Sequence, residues 1–181
     1  MCQSALWKYG GLYLDLDIIT FRDVGGLENF VALERDDSLN NAVLHLSPRG
    51  LGHELASDLL DRLGSDFRGD SWNYNGPKLL NRALLARCNV TQPREMRKDR
   101  CQGFTVLGIP AFYPLSYEQW WWVFEEARAQ DVWRAISGSY GLHTWGSLSS
   151  ARHGVVSNRA AFSQLVQRYC PRVFNYSARV L

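Results

Sequence analysis

Gly10-Gly11-Leu12-Tyr13-Leu14-Asp15-Leu16-Asp17-Ile18 decides how the rest of the chain is read. Leu12, Leu14, Leu16 and Ile18 alternate with Tyr13, Asp15 and Asp17, and a period of two marks a strand with one apolar and one polar face. The glycine pair is a tight entry to that strand, and Ala5 to Tyr9 before it reads as the last turn of a helix capped there. Side chains at i and i+2 of a strand share a face, so both carboxylates can approach one cation. Oxygen ligands of this kind suit Mn²⁺ or Mg²⁺. The spacing alone says little, because eleven aspartates in 181 residues make about one such pair by chance. The context adds to it: ligand sites in α/β sheets lie at the carboxyl ends of strands, where these two acids stand.

Outward from this segment, Phe30–Leu33, Ala42–Leu46, Phe104–Leu107 and Tyr140–Trp145 have strand character. Three stretches carry a helical apolar stripe instead. Leu55, Leu59, Leu60 and Leu63 form one, and Leu79, Leu80, Ala83 and Leu84 form a second, entered through Gly76-Pro77 with proline suited to a first turn. Phe162, Leu165, Val166 and Tyr169 form the third, which ends at Cys170-Pro171. Strands and helices alternate, so the fold class is α/β. A chain of 181 residues with 46% hydrophobic, 21% charged and 13% aromatic residues has the surface to bury for one globular domain. A net charge of +2 with dispersed positives argues against a dedicated nucleic-acid binder.

No apolar run approaches the roughly 18 residues of a membrane-spanning helix. The first eight residues also lack the basic start and long apolar stretch of a secretory signal, so on its own the chain reads as soluble and without an address. The cysteines point elsewhere. Cys88 and Cys101 bracket a polar segment that a disulfide could close, Cys2 and Cys170 remain, and four cysteines permit three complete pairings. Asn89-Val90-Thr91 and Asn175-Tyr176-Ser177 are glycosylation sequons, usable only in the secretory pathway.

Beyond the two aspartates, His143 in His143-Thr144-Trp145 arrives from a late strand and could complete a metal shell, or pack as a hydrogen-bonded core histidine. His45, His53 and His153 have no partner pattern and read as structural or surface residues. Trp72-Asn73-Tyr74-Asn75-Gly76-Pro77 leads into a helix, whose first amides favour anions while asparagine side chains suit sugar hydroxyls. Trp120, Trp121 and Trp122 cannot all face one way on a helix, so at least one is expected at the surface or in a cleft.

Together these segments resemble the α-1,4-glycosyltransferase family. The resemblance runs in order through Ala5 to Asp17, which looks like the family's DXD segment, then Asn75-Gly76-Pro77-Lys78-Leu79-Leu80 and Ala111-Phe112-Tyr113-Pro114. It continues through His143-Thr144-Trp145 to Arg168-Tyr169-Cys170-Pro171. It implies a GT-A-like fold, a UDP-sugar donor, Mn²⁺, and transfer of a galactose, N-acetylgalactosamine or N-acetylglucosamine unit to a glycolipid or glycan in α-1,4 linkage with retention of configuration. By position, Asp15, Asp17 and His143 would hold the metal, and Gly10, Gly11, Gly76 and the two aspartates would bind the donor. Asn75 stands where relatives carry glutamine and would be the catalytic position facing the anomeric centre or leaving phosphate. No nucleic-acid partner enters this picture. The implied location is the lumenal side of the Golgi membrane, through an N-terminal anchor.

Family members carry a further half-domain before the DXD segment, so the chain is expected to be residues 1–181 of a partial catalytic domain. Its DXD segment would span 5–24 and its C-terminal family region about 40–181, without the first nucleotide-binding strands or the anchor. Asp66, Asp70 and Glu118 lack a pattern supporting a nucleophile, which favours front-face attack by the acceptor. Two other classes fit less. Asp15-Leu16-Asp17-Ile18-Ile19-Thr20 superficially fits the strand-end signature of haloacid-dehalogenase-like phosphatases, but no downstream acidic pair is placed for Mg²⁺. A non-catalytic glycan-binding remnant would use the aromatic patches at Trp72–Tyr74 and Trp120–Trp122.

Overall fold

The computed structural model describes residues 2–71, 73–150 and 156–177, so Trp72 and His153 lie outside the described residues. The chain divides into two compact units, Met1–Asp15 with Val24–Ile109, and Leu16–Asp23 with Pro110–Leu181. Each is built from helices and strands, a mixed α/β architecture of the GT-A-like kind.

In the first unit, helix α1 (Cys2–Tyr9) runs into β1 (Gly11–Leu14). Gly10 makes the corner: its φ of 65° is left-handed, its amide bonds the Leu6 carbonyl at 2.8 Å, and a Cβ there would meet the Pro48 nitrogen at 2.5 Å. Only glycine fits such a position. β3 (Phe30–Arg35) and β4 (Ser38–Leu46) form a hairpin, and with β5 (Thr105–Leu107) they complete a four-stranded sheet in the order β1-β4-β3-β5. β3 pairs antiparallel with β4 and parallel with β5, so the sheet is mixed. The hairpin strands are longer than the apolar runs Phe30–Leu33 and Ala42–Leu46, because polar Ser38 and Asn40 still pair across to β3.

Helices α2 (Leu51–Ser65) and α3 (Pro77–Cys88) bury their stripes against this sheet. Leu55, Leu59, Leu79, Ala83 and Leu84 are almost fully buried with Val31, Leu44 and Phe104. Each such side chain contributes about 1.5–3 kcal/mol by leaving water. Asn81 fastens α3 to the hairpin, its side chain accepting from the Leu39 amide and donating to the Leu39 carbonyl, both at 3.1 Å. A disulfide joins Cys88 to Cys101, both buried, closing the polar segment between them, and Cys170 is a free thiol.

In the second unit, β2 (Ile18–Thr20) pairs antiparallel with β6 (Gly141–His143). Around this ribbon lie a 3₁₀ helix (Tyr117–Phe124), α4 (Ala129–Ala135), the short α5 (Gly146–Ser149), α6 (Ala161–Tyr169) and α7 (Pro171–Ser177). Ile19, Leu115, Val123, Val132, Leu142 and Leu165 form its core. The stripe of the third expected helix is the buried face of α6, and the Cys170-Pro171 stop also starts α7, with proline as its first residue. No helix among the described residues is long and apolar enough to cross a membrane.

The expected single strand from Leu12 to Ile18 is corrected here. β1 ends at Leu14, the chain turns at Leu16-Asp17, and β2 starts at Ile18 in the other sheet. Leu16, read as part of the apolar face, is fully exposed. The two aspartates therefore flank a turn and do not share the face of one strand. Replacing Cys88 and Cys101 together by serine should lower the unfolding free energy by about 3 kcal/mol, the entropy of freeing a loop of this size. Urea denaturation under oxidising conditions measures it.

Candidate functional site

Asp17 is restrained at both its backbone and its side chain. Its backbone carbonyl accepts both the Thr144 amide and the Thr144 hydroxyl at 2.9 Å. Its carboxylate accepts the Gly146 amide on Oδ2 at 2.6 Å, and His143 Nε2 lies 3.5 Å from the same oxygen. The residues 143–146 thus wrap Asp17 from backbone to carboxylate. Local backbone shape makes this possible. The β2–β6 ladder pairs Ile18 with His143, which sets Thr144 beside Asp17. Trp145 then takes a left-handed conformation with φ 55°, which aims the next amide back at the carboxylate. For a residue with a bulky side chain this costs on the order of 1 kcal/mol. Packing offsets the cost: the Trp145 ring is buried against His143 at 4.4 Å and Tyr117 at 5.5 Å, and its Nε1–H reaches the Leu115 carbonyl at 3.4 Å.

His143 is buried and oriented from both sides. Its backbone amide bonds the Phe112 carbonyl at 3.0 Å, the Tyr113 ring lies 5.5 Å away, and Nδ1 accepts the Trp145 amide at 3.2 Å. The Ala111–Pro114 and His143–Trp145 segments, far apart in sequence, therefore meet. A neutral ring that accepts on Nδ1 carries its proton on Nε2, facing Asp17. For Nε2 to ligate a cation, that proton must leave or move to Nδ1, breaking the bond to Trp145.

Asp15 precedes the turn by one residue. Its amide bonds the Ala42 carbonyl at 2.8 Å and its Oδ1 accepts the Tyr13 hydroxyl at 2.5 Å. Asp17 and His143 bring a carboxylate oxygen and an imidazole nitrogen within 3.5 Å inside the second unit, and Asp15 stands two residues before Asp17 in the chain. Two carboxylates and one imidazole make a donor set suited to a divalent cation with open positions for phosphate oxygens or water. A cavity of about 580 Å³ in the second unit is lined by Asp17, Thr144 and Gly146 together with apolar Ile19, Phe124 and Phe162.

The other sequence-derived residues lie in the first unit. Gly10 and Gly11 form the corner between α1 and β1, and Gly76 caps α3. Asn75 is engaged with backbone: Nδ2 donates to the Arg68 carbonyl at 2.6 Å and Oδ1 accepts the Arg68 amide at 3.0 Å, closing the loop between them. Inside that loop, the Tyr74 ring is flanked by the Arg68 and Arg82 guanidiniums at 4.4 and 4.1 Å. The Tyr74 hydroxyl donates to Asp66, and this bond, followed by Arg68, holds the Asp66 carboxyl below the usual range. Of the three tryptophans in the 3₁₀ helix, Trp121 is the exposed one, and Arg128 covers Trp122 at 4.8 Å.

Sequence reading missed Tyr13, Thr144 and Gly146 as partners of the aspartates. The Trp145-Gly146 step carries no pattern that announces a left-handed turn. Asn75→Ala should speed amide hydrogen exchange through residues 66–75 and cost about 1–2 kcal/mol of stability, the two lost bonds being partly exposed. Exchange mass spectrometry with a thermal melt checks both.

With this geometry established, comparison with known proteins is specific. A family model for the alpha 1,4-glycosyltransferase conserved region matches residues 48–177. Lactosylceramide 4-alpha-galactosyltransferase of Homo sapiens is 32% identical over 168 residues, 93% of this chain and 46% of that protein. The Rattus norvegicus protein of the same name is 31% identical over 168 residues, 93% of this chain and 45% of its own length. Alpha-1,4-N-acetylglucosaminyltransferase of Homo sapiens is 27% identical over 175 residues, 94% of this chain and 48% of that protein. The chain thus spans about half the length of these relatives. No solved structure matches.

Proposed function

Because the chain belongs to the alpha 1,4-glycosyltransferase family, we propose that it moves a hexose or N-acetylhexosamine from a UDP-sugar to a glycolipid or glycan hydroxyl in α-1,4 linkage, with retention. The observation that carries this reading is the approach of His143 to Asp17 at 3.5 Å, with Asp15 two residues upstream, in a chain of this family. These residues would hold Mn²⁺. When bound, such an ion supplies positive charge against the diphosphate of the leaving UDP. The chain's own part is to fix the carboxylates before donor arrives: Tyr13 restrains Asp15, and residues 143–146 restrain Asp17. Preorganised ligands need no reordering as charge develops.

A relative named for lactosylceramide supports a glycolipid acceptor, and one named for N-acetylglucosamine supports the wider donor range. The supporting evidence for a Golgi-lumenal setting is the buried Cys88–Cys101 disulfide, since structural disulfides persist in oxidising compartments. Membrane association through an N-terminal anchor belongs to the same reading.

Calorimetric titration with UDP, with and without Mn²⁺, tests the donor site. Binding should require Mn²⁺ and weaken at least about tenfold in Asp17→Ala; a folded chain that ignores UDP would instead support a glycan-binding remnant. The lumenal setting has its own test. Asn89 is exposed at the left-handed end of α3, so the protein recovered from the secretory pathway should carry a glycan that Asn89→Gln removes. Glycosidase digestion reads this as a loss of one mass increment, and an unmodified secreted chain would count against it.

A further inference from the structure

We propose that Gly146 is a positioning residue that fixes the Asp17 carboxylate in the orientation it presents to a cation. The inference rests on the donor-site reading above and assigns a role to a residue outside the aspartate–histidine group. The Gly146 amide ties Oδ2 at 2.6 Å, and His143 Nε2 stands 3.5 Å from the same oxygen. A charge-assisted bond of this length fixes the carboxylate plane and draws electron density toward Oδ2. The Asp17 carboxylate is thereby held in one orientation beside His143 before a cation would arrive.

Position 146 is also sterically committed. A Cβ on Gly146 would stand 3.0 Å from Asp17 Oδ2, 3.1 Å from its Cβ and 3.3 Å from its Cγ. Any side chain there leaves the amide donor in place but pushes the carboxylate by a few tenths of an ångström. The amide reaches Asp17 only because Trp145 turns left-handed, so the strain at Trp145 and the absent side chain at 146 serve one contact. Groups that orient a metal ligand from outside the first shell typically govern affinity by about ten- to a hundredfold.

The test compares Gly146→Ala with the wild-type chain and with Gly138→Ala. The latter lies in the same unit, and its Cβ would meet nothing within 4 Å. Mn²⁺ affinity, read by electron paramagnetic resonance in the presence of UDP, should fall about tenfold in Gly146→Ala and stay unchanged in Gly138→Ala. Melting temperatures identify loss of fold. A folded Gly146→Ala chain with wild-type Mn²⁺ affinity overturns the inference, while a wild-type chain that binds no Mn²⁺ overturns the donor-site reading and this inference with it.

A second measurement does not depend on the glycine variant folding. In the ¹⁵N-labelled wild-type chain the Gly146 amide proton should resonate far downfield and stay there as Mg²⁺ and UDP are added. In Asp17→Asn it should move upfield. A Gly146 amide indifferent to Asp17→Asn overturns the inference.

Discussion

Two short strands, Ile18–Thr20 and Gly141–His143, carry the arrangement of the candidate site. They are 120 residues apart in sequence, and their pairing puts Thr144 against the Asp17 carbonyl and Gly146 against its carboxylate. Without that ladder Asp17 would be one acid on an exposed turn. With it, one tetrapeptide makes two contacts to the Asp17 backbone carbonyl and two to its partly buried carboxylate. Tyr113, packed on His143 and Trp145, and Tyr117, edge-on to Trp145, keep the tetrapeptide's unusual backbone in place.

The two aspartates are restrained by different means. Asp15 belongs to the end of a sheet strand and is held by a phenol two residues back, a bond local to β1. Asp17 is held by residues far along the chain. His143 is engaged at both ring nitrogens: Nε2 lies 3.5 Å from the Asp17 carboxylate, and Nδ1 accepts the Trp145 amide.

Much of the fold was legible because burial follows simple periods. The stripes at Leu55–Leu63, Leu79–Leu84 and Phe162–Tyr169 match α2, α3 and α6, since a helix hides one face whatever it packs on. The Gly10-Gly11 corner was legible too, as glycine is demanded by backbone shape. The break between β1 and β2 was not. Alternation ran unbroken through Leu16, and nothing local shows that Leu16 points into solvent or that Ile18 finds its partner at His143. The aspartates and His143 were legible as chemistry, whereas Gly146, Thr144 and Tyr13 act through an amide, a hydroxyl and a phenol that any chain contains in number. Asn75 was singled out for its side chain, and that side chain is engaged in closing its own loop.

Leu16 carries the last consequence. It stands between two restrained aspartates yet is fully exposed, so core packing places no demand on its side chain, which lines the cavity beside Asp17. The three-residue segment is held by hydrogen bonds at both ends and by nothing in its middle. What the fold fixes is the spacing of the carboxylates and the turn that sets it, whichever side chain occupies the centre.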